Sequence, residues 1–200
     1  MKNRIYYIAF LFVVCTFFSC WSSKKVTGDY YRQNETMLQS IQQRFKQLYE
    51  ERPFSAEIQD KAFTKLGLEI MTDTMRYIYK FNLNESSLSD TLVKYNFNVQ
   101  KINELINDMK NIRCTWITNL DYYENRQKKY LVFISIRHKE LESSRSDKYF
   151  TLAFFESRQF FDNKRRLLNK QDRKDLRKIN GQIFYKINDR VCYAVAGSFR

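Results

Sequence analysis

Apolar positions from residue 36 onward recur in two rhythms. Met37, Ile41, Phe45 and Leu48 repeat at helical spacing and predict a helix over 36–50, ended at Pro53. Ile58, Ala62 and Leu66 keep the same spacing. With Ser55 as N-cap, Glu57 in the first turn and Gly67 as stop, they predict a second helix. Residues 76–83, RYIYKFNL, alternate instead. Tyr77, Tyr79, Phe81 and Leu83 share one face and Arg76, Lys80 and Asn82 the other, the pattern of a half-buried strand. Val99, Ile102, Ile106 and Met109 return to helical phase over 99–110, with Asn98 as cap.

Strands dominate the second half of the chain. Residues 113–121 and 128–138 read as a hairpin joined through YYENRQ, and 148–156 as a further strand. In 128–138, Tyr130, Val132, Ile134 and Ile136 share a face, while Leu131 and Phe133 make the opposite face apolar too. A polar helix is predicted over 158–179, then two strands, 182–188 and 191–198, joined tightly through Asn188-Asp189-Arg190. Strands clustered after helices predict an α+β fold: an antiparallel sheet with N-terminal helices packed on one face and a late basic helix. No internal repeat or composition shift divides residues 36–200, which read as a single domain.

The first twenty residues obey another logic. Lys2 and Arg4 precede IYYIAFLFVVCTFF, an apolar run of about 14 residues that fits a signal-peptide h-region and falls short of a spanning helix. Ser19-Cys20 comes next, and then the polar Ser22, Ser23, Lys24 and Lys25. The sequence FFSC resembles the lipobox of bacterial lipoproteins. That resemblance implies removal of residues 1–19, lipidation of Cys20 on sulfur and acylation of the new amino terminus. Phe17 is large and apolar where Leu is usual, and Phe18 departs from the commoner small residue. This looser pattern is similar to lipoproteins of the Bacteroidetes. Trp21 stands where an inner-membrane retention Asp would, and Lys24 and Lys25 where surface-export signals are acidic. The resemblance therefore implies the cell envelope, at the outer membrane facing the periplasm, and covers no more than these residues. Three other readings stand beside it. They are a secretory signal cut after Ser22, an uncleaved anchor helix, or a eukaryotic signal with Asn34 and Asn84 as glycan acceptors.

Charge and composition sharpen this picture. The 35 basic and 22 acidic residues give +13; losing 19 of 200 residues, with Lys2 and Arg4 among them, leaves 181 residues at +11. Residues 20–35 lack apolar periodicity and read as a lipidated Cys followed by a flexible tether, reaching roughly 50 Å if extended. Four glycines and one proline exclude collagen-like and low-complexity classes, and 44% apolar residues suffice for a packed core.

Candidate chemistry is sparse. His138 is the single histidine, in phase with Ile134 and Ile136, and no nucleophile motif accompanies it. One histidine and two distant domain cysteines make no zinc pattern, and Gly28, Gly67, Gly181 and Gly197 build no phosphate loop. No cofactor, metal or catalytic residue is expected. Glu140 with Glu142, and Glu156 with Asp162, are carboxylates at commonplace spacing, read as solvated surface. Cys114 and Cys192 fall in predicted strands, where an oxidising compartment permits a disulfide and two buried thiols are the alternative. Residues 164–178, KRRLLNKQDRKDLRK, carry eight Lys or Arg and two Asp. Lys164, Arg165, Arg166, Arg173 and Lys174 are candidates for contact with an anionic surface, against the alternative of a solvated helix face. Asp73-Thr74-Met75 and Asp90-Thr91-Leu92 resemble the O-glycosylation sequon of exported Bacteroidetes proteins, with Thr91 in a polar loop favoured over Thr74. The resulting expectation is a membrane-anchored periplasmic lipoprotein with a non-catalytic binding domain for a protein or envelope polymer. No nucleic-acid partner is expected. An immunity-type inhibitor and an envelope glycan or peptide hydrolase are the alternatives.

Overall fold

The computed structural model describes residues 2–124, 126–137, 149–169 and 175–196, with side chains from residue 27 onward. The chain divides into two compact units, Met1–Glu35 and Thr36–Arg200. Helix α1 (Lys2–Glu51) includes all of the first unit beyond its first residue. Residues 21–35, expected as a tether, are thus helical. Pairs at helical spacing support them locally: Arg32 with Asp29, Tyr31 with Glu35, and the Asn34 amide with the Tyr30 carbonyl. Among the described residues no helix is long and apolar enough to cross a membrane.

The second unit is α+β, as the patterning predicts. Its elements are β1 (Phe54–Ile58), β2 (Lys65–Met71), β3 (Arg76–Asn82), α2 (Ser86–Lys94), α3 (Val99–Asn111), β4 (Cys114–Glu124), β5 (Gln127–Arg137), β6 (Tyr149–Phe155), β7 (Lys178–Ile179), β8 (Gln182–Ile183), β9 (Tyr185–Lys186) and β10 (Val191–Ala196). Eight strands form one antiparallel sheet in the order β3-β2-β1-β4-β5-β6-β10-β9, and β7-β8 is a separate ribbon.

One face of the sheet receives the helices. Leu38, Ile41, Phe45 and Leu48 of α1 are buried, and Phe45 meets Phe54 of β1 at 5.1 Å between ring centroids. Phe54 in turn meets Phe97, which precedes the cap of α3, edge-on at 5.5 Å. Leu38, not the half-exposed Met37, supplies the first apolar position of this stripe. Helix α3 contributes Ile102, Leu105, Ile106 and Met109, and its Asn98 cap accepts from the Lys101 N–H at 3.0 Å. Arg44 joins α1 to α3 through Asp108 at 2.6 Å.

The opposite face is covered over only half its width. Residues 157–169 and 175–187 fold back over β4, β5, β6 and β10 and bury Leu167, Ile179 and Phe184 against Leu131, Phe133, Phe155 and Cys192. Over β1, β2 and β3 nothing among the described residues fills that face, and a groove of about 290 Å³ runs there.

Three expectations are corrected. The predicted helix 55–67 is the β1–β2 hairpin. Asp60 accepts from the Thr64 and Lys65 amides, each at 2.8 Å, and from the Thr64 hydroxyl, closing a turn in which Phe63 adopts φ 58°. The predicted basic helix 158–179 is no helix in its described part. Asp162 binds the Lys164 and Arg166 amides, Arg165 turns through φ 65°, and Phe161 pairs with Leu167 across the bend. Finally, the polar loop around residue 91 is α2, which buries Leu88 and Leu92.

Candidate binding surface

The open half of the sheet takes its shape from register. Phe54, Ala56 and Ile58 face the helices, so Ser55, Glu57 and Gln59 line the groove. Pairing Glu57 with Gly67 and Ser55 with Glu69 brings β2 to the same surface, and pairing Glu69 with Ile78 and Gly67 with Lys80 brings β3. Gly67 makes room for the Gln59 amide, whose nitrogen would lie 2.8 Å from a Cβ placed there. Glu69 is held from two sides, by the Ser55 hydroxyl at 3.0 Å and the Arg76 guanidinium at 2.9 Å. The groove therefore carries both signs of charge around the apolar side chain of Ile78, which is 69% exposed.

Strand β3 ends the sheet, and two hydrogen bonds fix which of its backbone groups are outward. At one end the Thr72 N–H donates to the Met75 carbonyl at 2.8 Å, and at the other the Leu83 N–H donates to the Thr64 carbonyl at 2.8 Å. Antiparallel pairs alternate between bonded and non-bonded, so 75, 77, 79, 81 and 83 bond toward β2. Arg76, Ile78, Lys80 and Asn82 direct their N–H and C=O groups away from it. Asn82 is occupied by the next turn, its carbonyl accepting from the Glu85 N–H at 3.0 Å. Arg76, Ile78 and Lys80 remain as an outward row.

The helix-side flank of this edge is aromatic. Tyr77 lies 5.6 Å from Tyr95, and the Tyr79 and Tyr95 hydroxyls are 2.7 Å apart. That hydrogen bond is the main reason the Tyr95 phenol is pushed up to about 12. A second groove of about 240 Å³, lined by Glu51, Pro53, Met71 and Tyr95, lies beside it.

The residues singled out from sequence do not converge. Lys164 and Arg165 are exposed on the 162–166 bend, whereas Arg166 is held by Asp162 at 2.7 Å. Arg173 and Lys174 lie outside the described residues, as do His138, Glu140, Glu142 and the side chain of Cys20. Glu156 binds Lys46 and the Tyr130 N–H, each at 3.2 Å, while Asp162 serves its own turn, so these two carboxylates do not act as a pair. Cys114 and Cys192 are free and buried. Cys114 pairs with Ile136 on the helix side, Cys192 with Ala153 on the other, and β5 and β6 separate their strands, so the disulfide is excluded by topology. Thr74 sits exposed in the β2–β3 turn, whereas Thr91 lies partly buried on α2. Among the described residues no group of three His, Cys, Asp or Glu side chains could hold a metal ion.

Sequence reasoning passed over Ile78. The signal was present: an apolar residue in phase with Arg76, Lys80 and Asn82, on the face otherwise read as polar. No family model, curated protein or solved structure matches the chain.

Proposed function

We propose that this chain is a lipid-anchored cell-envelope protein, held through Cys20 at the periplasmic side of the outer membrane, whose 36–200 unit is a non-catalytic binding domain. The observation that carries the binding reading is the half-covered sheet. Its open face and free edge put apolar, charged and backbone hydrogen-bonding groups together on one surface. The anchor reading is supported by the apolar run ending in Ser19-Cys20. Several buried acyl chains, each CH₂ contributing about 0.8 kcal/mol, hold a protein at a membrane essentially irreversibly.

Two measurements test this. An alkynyl palmitate fed to the bacterial host is expected to label the wild-type chain, and Cys20→Ala is expected to lose the label and accumulate unprocessed. An unlabelled wild type overturns the anchor. For binding, a photo-crosslinking amino acid is placed in turn at Gln59, Ile78, Val93 and Lys164 of the full chain in cells. Discrete adducts from Gln59 or Ile78, and none from Lys164, are expected. No adduct from any of the four positions overturns the binding domain.

A further inference from the structure

We infer that the free edge of β3 receives an extended segment of a partner protein as an added strand, and that this segment carries an acidic residue two positions to either side of an apolar one. The inference rests on the binding-domain reading and specifies its mode.

Three observations converge on it. The outward backbone groups belong to Arg76, Ile78 and Lys80, each offering one N–H and one C=O, the main-chain template that strand addition uses. The side chains of those same three residues share the groove face, so residues of an added strand lying opposite them meet all three in register. Their chemistry is cation, apolar, cation; the Arg76 guanidinium pairs with Glu69 on β2 yet its side chain stays 67% exposed, and Lys80 is exposed too, so both cations remain open to solvent. Acidic residues opposite Arg76 and Lys80, with an aliphatic one opposite Ile78, complement the row. The chain's excess of 35 basic over 22 acidic residues attracts such a segment from a distance.

The same row argues against a second copy of this chain. Two β3 edges paired antiparallel about Ile78 place Arg76 opposite Lys80 twice over, and like charges directly opposite repel. Flanking cations on an edge strand are a common device against self-pairing. They leave the edge open to a strand of opposite charge.

The test uses the full chain in detergent micelles and two capped heptapeptides, Thr-Glu-Thr-Val-Thr-Glu-Thr and its counterpart with Lys for Glu. Hydrogen exchange is followed by mass spectrometry with fragmentation across 75–83. With the acidic peptide at about 1 mM, the amides of Arg76, Ile78 and Lys80 are expected to slow at least tenfold, with no change at Tyr77, Tyr79 or Phe81. The lysine peptide is expected to bind at least fivefold more weakly. Ile78→Pro removes one outward N–H without touching a β2 bond and is expected to abolish protection. Arg76→Glu with Lys80→Glu, which needs no backbone change, is expected to reverse the peptide preference. Unchanged exchange with the acidic peptide, equal binding of both peptides, or a charge-reversed protein that still prefers the acidic one overturns the inference. Cellular adducts from Gln59 with unaltered β3 exchange would retain the binding domain and reject the edge. Absence of adducts from every position would reject both.

Discussion

Strands β6 and β3 are both seven residues long, yet every residue of β6 is buried and only Phe81 is buried in β3. Both belong to one sheet, but on the helix side β6 buries Phe150, Leu152 and Phe154 whereas β3 buries only Phe81 and leaves Tyr77 36% exposed. The larger difference lies on the other face, where the described residues of 157–169 and 175–187 cover β6 and leave the groove over β3 open. Composition tracks coverage. Strand β6 reads YFTLAFF, apolar on both sides, and β3 reads RYIYKFN, apolar mainly toward the helices. A strand buried on both faces is committed to stability, whereas one left open on a face and an edge has surface free for recognition.

The sharpest way to break this contrast is truncation on both faces of one strand. Phe133 and Ile134 are neighbours on β5, buried on opposite sides, with Phe133 edge-on to Phe184 at 6.1 Å. Phe133→Ala is expected to cost about 3–5 kcal/mol and Ile134→Ala about 2–5, from lost burial plus a cavity. Ile78→Ala, on the open face, is expected to stay within about 0.5 kcal/mol. Urea unfolding measures all three. A cost for Phe133→Ala as small as that for Ile78→Ala would mean the cover does not pack.

Alkaline pH probes the same burial through the thiols. Burial pushes the Cys114 thiol up to about 12, and burial likewise raises Cys192. Unfolded, both ionise near 8.5. The stability tied to the neutral thiols is therefore complete below about pH 8 and is lost as pH rises from about 8.5 toward 12. Each thiol contributes a loss of about 1.4 kcal/mol per pH unit over that window. Denaturation midpoints from pH 7 to 10.5 are expected to fall, and to fall less in the Cys114→Ala, Cys192→Ala variant. A midpoint independent of pH would place both sulfurs in contact with water. The native thiols are also expected to resist alkylation at pH 8, since a group ionising near 12 is roughly a thousandfold poorer in thiolate than an ordinary one.

The sequence made β3, β4, β5, β6, β10 and α3 legible and misled on three stretches, β1–β2 among them, for identifiable reasons. The alternation of 76–82 and the helical phase of Ile102, Ile106 and Met109 each matched a single period, and the elements lie where those periods put them. Ser55, Ile58, Ala62 and Leu66 fit a helix by spacing, but Phe54, Ala56 and Ile58 fit a strand equally well. The Asp60 turn decides between them through hydrogen bonds that periodicity does not encode. In 158–179, Asp162 bends the chain by accepting from the Lys164 and Arg166 amides while Arg165 turns through φ 65°, local contacts that periodicity does not encode. Helix α2 carries only Leu88 and Leu92 as buried positions, too few to stand out from a run of Ser, Asp and Thr. The candidate surface was half legible: Arg76 and Lys80 read as the solvent face, but the exposure of Ile78 depends on a cover that ends before β3, a tertiary fact.

A smaller effect tests how the cover is held down. Arg177 lies 5.2 Å from the centroids of both Tyr122 and Phe155, and its guanidinium donates to the Gln159 side-chain oxygen at 3.1 Å. Burial lowers its pKa, yet an arginine stays charged, so the cation persists over the two rings. Arg177→Ala is expected to cost about 1–2 kcal/mol through lost cation–π contact and lost stem packing. Arg158→Ala, whose exposed pair with Asp189 at 2.6 Å is solvated, is expected to cost about 0.5 kcal/mol or less. Equal losses in thermal unfolding would mean that the rings give Arg177 no special hold.

The smallest expected change comes from adding one carbon to the open half. A Cβ at Gly67 would stand 2.8 Å from the Gln59 side-chain nitrogen, too close for both to remain in place. In a covered region that overlap would be costly, because packed neighbours cannot yield; enlarging Ala153, buried beneath the cover, is expected to cost about 1–3 kcal/mol as Ala153→Val. At Gly67 the obstructing atom is the far end of a flexible amide that faces the groove, so it can swing into water. Against that displacement stands a gain, since a glycine in a strand loses more backbone freedom on folding than an alanine, by roughly 0.5–1 kcal/mol. The two terms nearly cancel, and Gly67→Ala is expected to change stability by no more than about 0.5 kcal/mol in urea unfolding. A loss above about 1 kcal/mol would mean that Gln59 cannot move aside, and that the face over β1–β3 is packed in a way its groove does not suggest.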